Sequence, residues 1–113
     1  SKEDVTEVVV PAFEGEMGIL KDHISIISFL KPGIIKIFSK NEEENYYVED
    51  GIVEFKDNSL SILTGSIFNT KNVDKVKISD LLKKAEDSLT NTEITDHDKY
   101  LVDQKIDVLK SIN

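Results

Sequence analysis

The stretch that decides the fold covers residues 8–38 and reads VVVPAFEGEMGILKDHISIISFLKPGIIKIF. It contains three short apolar runs, at residues 8–10, 24–30 and 34–38, which are rich in β-branched side chains and separated by Pro and Gly. Runs of this length and composition are typical of β-strands joined by tight connections, and not of helices. The sequence therefore predicts a small β-sheet domain.

An acidic segment with two glycines, Glu14-Gly15-Glu16-Met17-Gly18, separates the first two runs. Glycine adopts positive φ without the strain that a Cβ would cause. Because Gly15 and Gly18 both have this freedom, we expect a loop in which the chain reverses direction twice. The segment is predicted to form an acidic loop at one edge of the sheet.

The second and third runs carry further local signals. The alternation of apolar residues slips by one position at Ile26-Ile27, which predicts a β-bulge. Pro32-Gly33 predicts a turn with Pro at its second and Gly at its third position. The run at 34–38 is apolar at almost every position, so we expect it to be covered on both faces.

The β-rich pattern continues beyond residue 38. Residues 39–45, with three consecutive glutamates, predict an exposed hairpin tip. The Asp50-Gly51 pair has the chemistry of a hairpin turn. Further strands are predicted over residues 46–49, 52–55, 60–64 and 67–68.

The periodicity changes near residue 72. Apolar residues then recur at steps of three and four, which predicts two amphipathic helices. Thr95 with Asp98 three residues later resembles a helix capping box. The predicted fold class is α+β: an antiparallel β-sandwich over residues 1–72, followed by a two-helix antiparallel hairpin over residues 73–113. The apolar stripes of the two helices are Ile78, Leu81, Leu82, Ala85 and Leu89, and then Leu101, Val102, Ile106, Leu109 and Ile112.

Composition excludes several classes of function. The 113 residues carry a net charge of −8, and all fourteen basic side chains are Lys. Such a surface repels phosphate backbones, so nucleic-acid binding is not expected, and a partner with basic loops suits it better. The absence of cysteine excludes disulfides, thiol catalysis and thiolate metal sites. No apolar run approaches the ~20 residues that span a bilayer.

Taken together at their spacing, EGEMGIL at 14–20, Asp22-His23 and LKPG at 30–33 closely resemble the epsilon subunit of bacterial F-type ATP synthases. Residues 47–54 resemble the strand, Gly and strand that follow in that family, which implies that Gly51 lies within the strand pairing and not at a free hairpin tip. The resemblance implies a non-catalytic rotor subunit of the central stalk that couples proton-driven c-ring rotation to the gamma subunit. It also implies a peripheral position on the cytoplasmic face of the bacterial inner membrane. Family members carry a further N-terminal strand, so we expect the first strand to be missing from residues 1–72.

The resemblance also identifies candidate partner-binding residues. In the family the acidic segment faces the polar loops of the c-ring, which implies the same role here for Glu14, Gly15, Glu16, Met17, Gly18 and His23. Opposite charges across such a contact fix its register. We expect no catalysis from Glu14 and Glu16, because no nucleophile or electrophile is placed beside them.

A degenerate nucleotide motif opens the first predicted helix. Some family members bind ATP through Ile/Leu-Asp-x-x-Arg-Ala, and the matching residues here are Val73, Asp74, Lys77 and Ile78. Lys lacks the planar fork of Arg, so the resemblance implies no cofactor, or ATP binding that is weak at most. The cations of the second helix are Lys99, Lys105 and Lys110. The C-terminal hairpin is expected either to pack on the sandwich or to extend and hinder ATP hydrolysis.

Two other hypotheses remain open from the residues alone. His23 and His97, next to Asp22 and Asp96, suggest a small metal-assisted hydrolase, but their spacing fits no helical ligand set and we expect no metal. The alternative function is a free-standing acidic adaptor that binds a basic protein. Gene neighbourhood would distinguish an adaptor from a synthase subunit.

Overall fold

The computed structural model describes residues 5–20, 22 and 25–112. Eight strands precede two helices along the chain. The strands are β1 (Val5–Ala12), β2 (Gly15–Leu20), β3 (Ile26–Leu30), β4 (Gly33–Ser39), β5 (Glu42–Val48), β6 (Gly51–Lys56), β7 (Ser59–Thr64) and β8 (Ile67–Asn69). The helices are α1 (Lys75–Ser88) and α2 (Asp96–Ser111). The predicted α+β class, a β-sandwich followed by two helices, is confirmed.

All the strand pairs are antiparallel and form two layers. One layer has the order β2, β1, β4, β5, β8, and the other has the order β3, β6, β7. A single pair, Ala12 with Leu30, joins β1 to β3 at the corner between the layers. The connection from β5 to β6 crosses from one layer to the other, so Asp50-Gly51 does not form a hairpin turn.

Apolar side chains from both layers meet between the sheets. Strands β1, β2, β4 and β5 contribute from one side, and β3 and β6 from the other. Because side chains alternate along a strand, every second residue of these strands enters the interior. The buried members of this sandwich core are Val8, Val10, Ile19, Leu30, Ile35, Val48, Val53 and Phe55.

The helices cover the outer face of the β4, β5 and β8 strands and form a second core. Tyr47, Ile78 and Leu109 are buried there, and Ile34 and Phe68 pack against them. The predicted cover of residues 34–38 on both faces is confirmed at the start of β4, where Ile35 is buried in the sandwich core and the half-buried Ile34 lies under the helices. We call this second cluster the helix seat.

Each helix begins at a polar N-cap side chain, and the cap predicted at Thr95 is confirmed. Asp74 caps α1 by accepting a hydrogen bond from the Val76 amide at 2.9 Å. Thr95 caps α2, since its Oγ1 accepts from the Asp98 amide at 3.1 Å. An N-cap of this kind satisfies one of the amides that have no partner in the first turn.

The prediction of a glycine-hinged loop at residues 14–18 is wrong. Gly15–Leu20 is strand β2, paired with β1 from Ala12 opposite Gly15 to Glu7 opposite Leu20. The chain reverses once, through the two-residue turn Phe13-Glu14. Of the two glycines in this segment, only Gly15 takes positive φ, at +126°. Pairing with β1 satisfies the backbone of the segment, which outweighs the flexibility that its glycines would allow.

Three smaller predictions need correction. No register shift occurs in the pairing of β3 with β6, so the predicted bulge is wrong within the described residues, and the shift lies in β1 near Thr6. The predicted turn with Gly33 at its third position is wrong, because Gly33 begins β4 without positive φ and the connection passes between the two layers. The hairpin tip is only Lys40-Asn41, because the three glutamates begin β5.

Gly51 is required by close backbone packing. A Cβ at this position would lie 2.0 Å from the backbone oxygen of Leu63 in the neighbouring strand β7. A backbone atom cannot move aside as the end of a side chain can, so we expect any other residue here to disturb the β6 and β7 pairing.

Candidate interaction surfaces

The predicted partner-binding segment lies at the end of the β1–β2 hairpin. Glu14 is exposed in the turn, and Glu16 is exposed on β2. The Glu16 carboxylate lies 3.6 Å from Lys36 Nζ on β4, so part of its charge is balanced within the chain. We call this end of the hairpin, residues 13–16, the acidic end.

The structure separates the other predicted site residues. Met17 packs against the sandwich core, because residues of β2 alternate between the interior and the solvent. Gly18 is exposed, and its missing side chain leaves room for the carboxylate of Glu7. His23 lies outside the described residues.

A second surface lies on the outer side of the three-stranded layer. Ile27 on β3 is 68% exposed, Phe29 on β3 is 69% exposed and Leu63 on β7 is 74% exposed. Ile52 stands opposite both Phe29 and Leu63 in the strand register and joins them into one row. We call these four residues the outer apolar face. A contiguous exposed apolar group of this kind usually marks a binding surface.

Helix α2 contacts the sandwich near both surfaces. The ring of Phe13 at the acidic end lies 6.3 Å from that of His97 and 6.4 Å from that of Tyr100. These distances are typical of aromatic contacts that stabilise packing.

Further along α2, an ion-pair cluster joins the helix to residues 49–50. Lys105 Nζ lies 3.9 Å from Glu49 Oε1 and 4.0 Å from Asp50 Oδ1. The Tyr47 hydroxyl donates a hydrogen bond to Glu49 at 3.3 Å. Burial of Tyr47, followed by the negative charge of Glu49, raises the pKa of the phenol above its ordinary value. Tyr47 therefore stays protonated beside the carboxylate and continues to donate.

The residues of the degenerate nucleotide motif have structural roles. Val73 and Ile78 pack in the helix seat. Asp74 is the helix cap, and Lys77 Nζ lies 5.2 Å from the centre of the Phe68 ring, which is a cation–π contact. Of the three lysines of α2 named above, Lys105 contacts the acidic pair on the sandwich.

Two negative findings concern the described part of the chain. Its histidine, aspartate and glutamate side chains form no group of three or more that could hold a metal ion. Neither α1 nor α2 combines the length and the apolar content that crossing a membrane requires.

Comparison with known proteins decides the family. Residues 1–70 match the family described as ATP synthase, Delta/Epsilon chain, beta-sandwich domain. The full 113 residues align at 79% identity with an ATP synthase epsilon chain of Pelagibacter ubique, covering 87% of that relative. The chain belongs to the ATP synthase delta/epsilon chain family. Membership in this family confirms the expectation of a non-catalytic ATP synthase subunit and favours it over an unrelated acidic adaptor.

More distant members and solved structures agree with this assignment. The epsilon chain of Psychrobacter arcticus is 35% identical over 78% of this chain and 64% of its own length. A chain in a structure of the Euglena gracilis mitochondrial ATP synthase (OSCP, F1 and c-ring) matches 97% of this chain and 69% of its own, with a TM-score of 0.65 and 20% identity. One from the central stalk and c-ring of Tetrahymena thermophila matches 97% and 83%, with a TM-score of 0.62 and 18% identity. These likenesses show that the fold of the sandwich and both helices recurs in chains of these two structures.

Sequence reasoning missed the outer apolar face, although a signal was present. The slip of alternation at Ile26-Ile27 predicts a bulge, which the strand does not have. In the structure β3 alternates regularly: Ile26 faces the core, while Ile27 and Phe29 face outwards. Apolar residues at both alternating positions therefore indicated a strand with one face in the core and the other face available to a partner.

Proposed function

We propose that the chain acts as a central-stalk rotor subunit that transmits c-ring rotation to the gamma subunit of an ATP synthase. Membership in the delta/epsilon family supports assembly into an ATP synthase. The main structural support for a role in torque transmission is the outer apolar face. A rigid sandwich that presents two partner surfaces would transmit torque by shape and charge, without bond-making chemistry.

The outer apolar face is our candidate for the gamma contact. The two sheets differ in what covers their outer sides: the helices pack on the β4, β5 and β8 strands, whereas Ile27, Phe29 and Leu63 on the other layer are more than two-thirds exposed. The centres of protein interfaces are apolar and enriched in aromatic residues. Phe29, flanked by Ile27 and Ile52, matches that composition.

The acidic end is our candidate for the c-ring contact. Glu14 and Glu16 extend from a hairpin whose backbone is fixed by pairing with β1. A rigid acidic hairpin is suited to the orientation of a partner with basic loops, since electrostatic complementarity sets register. Through the ring, the chain would be held at the cytoplasmic face of a bacterial inner membrane.

Substitutions on the outer apolar face test the gamma contact. Phe29→Asp would place a charge at the centre of the interface, and we expect affinity for purified gamma subunit to fall at least about 100-fold, as for an interface hot spot. Val76→Asp is the matched control, because Val76 is an exposed apolar residue on the first turn of α1, where a carboxylate is favourable. Equal affinity of both variants for gamma, measured by calorimetry, would contradict the assignment.

A charge reversal tests the ring contact separately. The double variant Glu14→Lys/Glu16→Lys should assemble with a gamma and c-ring complex at least about tenfold more weakly, and the loss should shrink at high salt. Glu86→Lys, an exposed charge reversal on α1, should assemble normally. If the double variant bound with wild-type affinity, the acidic end would not be part of the interface.

The helices are our candidate regulatory part, with the boundary between residues 72 and 73. When released from the helix seat, they would extend along the stalk and hinder ATP hydrolysis. Because Asp74 and Lys77 already have partners within the chain, we infer that ATP does not control this step. Titration of the chain with ATP should give no binding heat in the micromolar range, and micromolar binding would contradict the inference.

A further inference from the structure

Phe13 links the acidic end to helix α2. It occupies the turn beside Glu14, and its ring stacks on His97 and Tyr100 at interplanar angles of 23° and 29°. His97 and Tyr100 are three residues apart, so they lie on the same side of the helix. One side chain of the hairpin turn therefore contacts two successive positions in the first turns of α2.

The docked helix adds charge to the same end of the molecule. Asp96 and Asp98 lie in the first turn of α2 and flank His97, which is held against Phe13. A basic partner that approaches Glu14 and Glu16 therefore meets more negative charge when α2 is docked than when it is released. A ligand that interacts differently with two states shifts their equilibrium.

We propose that Phe13 couples partner binding at the acidic end to the docking of α2, so that a bound basic partner favours the docked helix. This proposal depends on the proposed function in one respect only, which is the identity of the basic partner. Linkage is reciprocal: docking of α2 strengthens partner binding by the same factor by which the partner strengthens docking. Phe13 is thus a positioning residue, which acts by holding α2 against the acidic end.

Hydrogen exchange of the chain alone tests the contact itself. Phe13→Ala should accelerate exchange of the amides of residues 100–104 about two- to tenfold, the range expected for loss of an aromatic pair. Amides of the last turn, residues 108–111, should keep their wild-type rates because Leu109 stays in the helix seat. Tyr100→Ala, which removes the other side of the stack, should give the same pattern. Phe13→Tyr should restore the slow rates.

Leu20→Ala is the matched control, because Leu20 is an exposed apolar residue at the opposite end of β2. It should leave the α2 amides unchanged. Unchanged exchange at 100–104 in both Phe13→Ala and Tyr100→Ala would overturn the proposal. Uniform acceleration across the strands and helices in both variants would also overturn it. In that case the stack would stabilise the whole fold and not the docking of α2 in particular.

Binding to a gamma and c-ring complex tests the coupling. Phe13→Ala should bind about two- to tenfold more weakly than the wild-type chain, and the complex should slow exchange at 100–104 less in the variant than in the wild type. Equal affinity of the two chains would overturn the coupling. If the wild-type chain itself did not bind, the proposed function would fail, while the exchange of the free variants would still decide whether Phe13 holds α2.

Discussion

The sandwich core and the helix seat differ in how they are enclosed. The sandwich core draws buried residues from both layers, including Val10, Leu30, Val48 and Val53, which are all 0% exposed. The helix seat is built on the outer face of one layer, and among its buried members only Tyr47 belongs to a strand. Outside the seat, α2 contacts the sandwich through the half-exposed rings of Phe13 and Tyr100 and through a partly exposed ion-pair cluster.

The helices are therefore held to the protein less firmly than the two layers of the sandwich are held to each other. Removal of the helices would uncover one sheet face but leave the interior between the layers intact. The free energy of opening varies within a protein, and regions with less buried apolar contact open first. We therefore expect the sandwich to be the permanent unit and the helices to be the part that is released.

The largest effect should follow a cavity in the sandwich core. Leu30→Ala removes a side chain that is 0% exposed at the corner where the layers join. We expect a loss of about 2–5 kcal/mol in the free energy of unfolding, with strands and helices lost together. Urea unfolding followed by circular dichroism measures this. Leu63→Ala, at a 74% exposed position, should change stability by less than about 0.5 kcal/mol.

A cavity in the helix seat should have a local effect. Leu109, which is 1% exposed, packs with Tyr47 and Ile78, and Leu109→Ala should weaken helix docking by about 2–4 kcal/mol. Amide exchange should accelerate throughout α1 and α2, while the urea midpoint of the strand signal moves little. Equal acceleration in β1 and β4 would indicate one cooperative unit, and the helices would then not open separately from the sandwich.

Tyr47→Phe should have a smaller effect that depends on pH. The variant loses the hydrogen bond to Glu49, at a cost of about 1 kcal/mol near neutral pH. Because the pKa of Tyr47 is raised in the folded chain, the unfolded chain loses this proton first, above about pH 10. The stability that this shift contributes is present below that pH and is lost as the pH rises further. Unfolding measured from pH 8 to 11 should therefore show a steeper alkaline decline for the wild type than for Tyr47→Phe.

The smallest effect should come from the ion-pair cluster. Lys105→Met keeps the aliphatic stem but removes the contacts to Glu49 and Asp50, whose side chains are partly exposed. Helix docking should weaken by less than about 1 kcal/mol, and the difference should disappear in high salt. Amide exchange of α2 at low and high salt measures both quantities. A loss that persisted at high salt would contradict an electrostatic origin.

Much of the fold follows from local sequence signals. Stripes of apolar residues at helical spacing predict α1 and α2, and Thr95 marks where α2 begins. The boundaries of the strands depend less on local sequence signals. Pro11 lies inside β1 although it looks like a break, and its carbonyl accepts from the Lys31 amide at 3.0 Å. Whether such a residue lies in a strand depends on the strand it pairs with, and that strand is distant in the sequence.

The candidate site was predictable only in part. The acidic residues Glu14 and Glu16 are exposed at a hairpin end, but the loop expected there is a strand, because β1 was available to pair with it. The stack of Phe13 on α2 joins residues more than eighty positions apart, and no short-range pattern encodes it. The outer apolar face required the strand register, which places Ile52 opposite both Phe29 and Leu63.

Native-state hydrogen exchange of the wild-type chain at low concentrations of urea tests the separation of the two cores most directly. We expect amides of α1 and α2 to exchange through an opening of lower free energy than the slowest amides of β1 and β4. The helix opening should also expose less surface, and so depend less steeply on urea. A single free energy and a single urea dependence for helices and strands would contradict this separation.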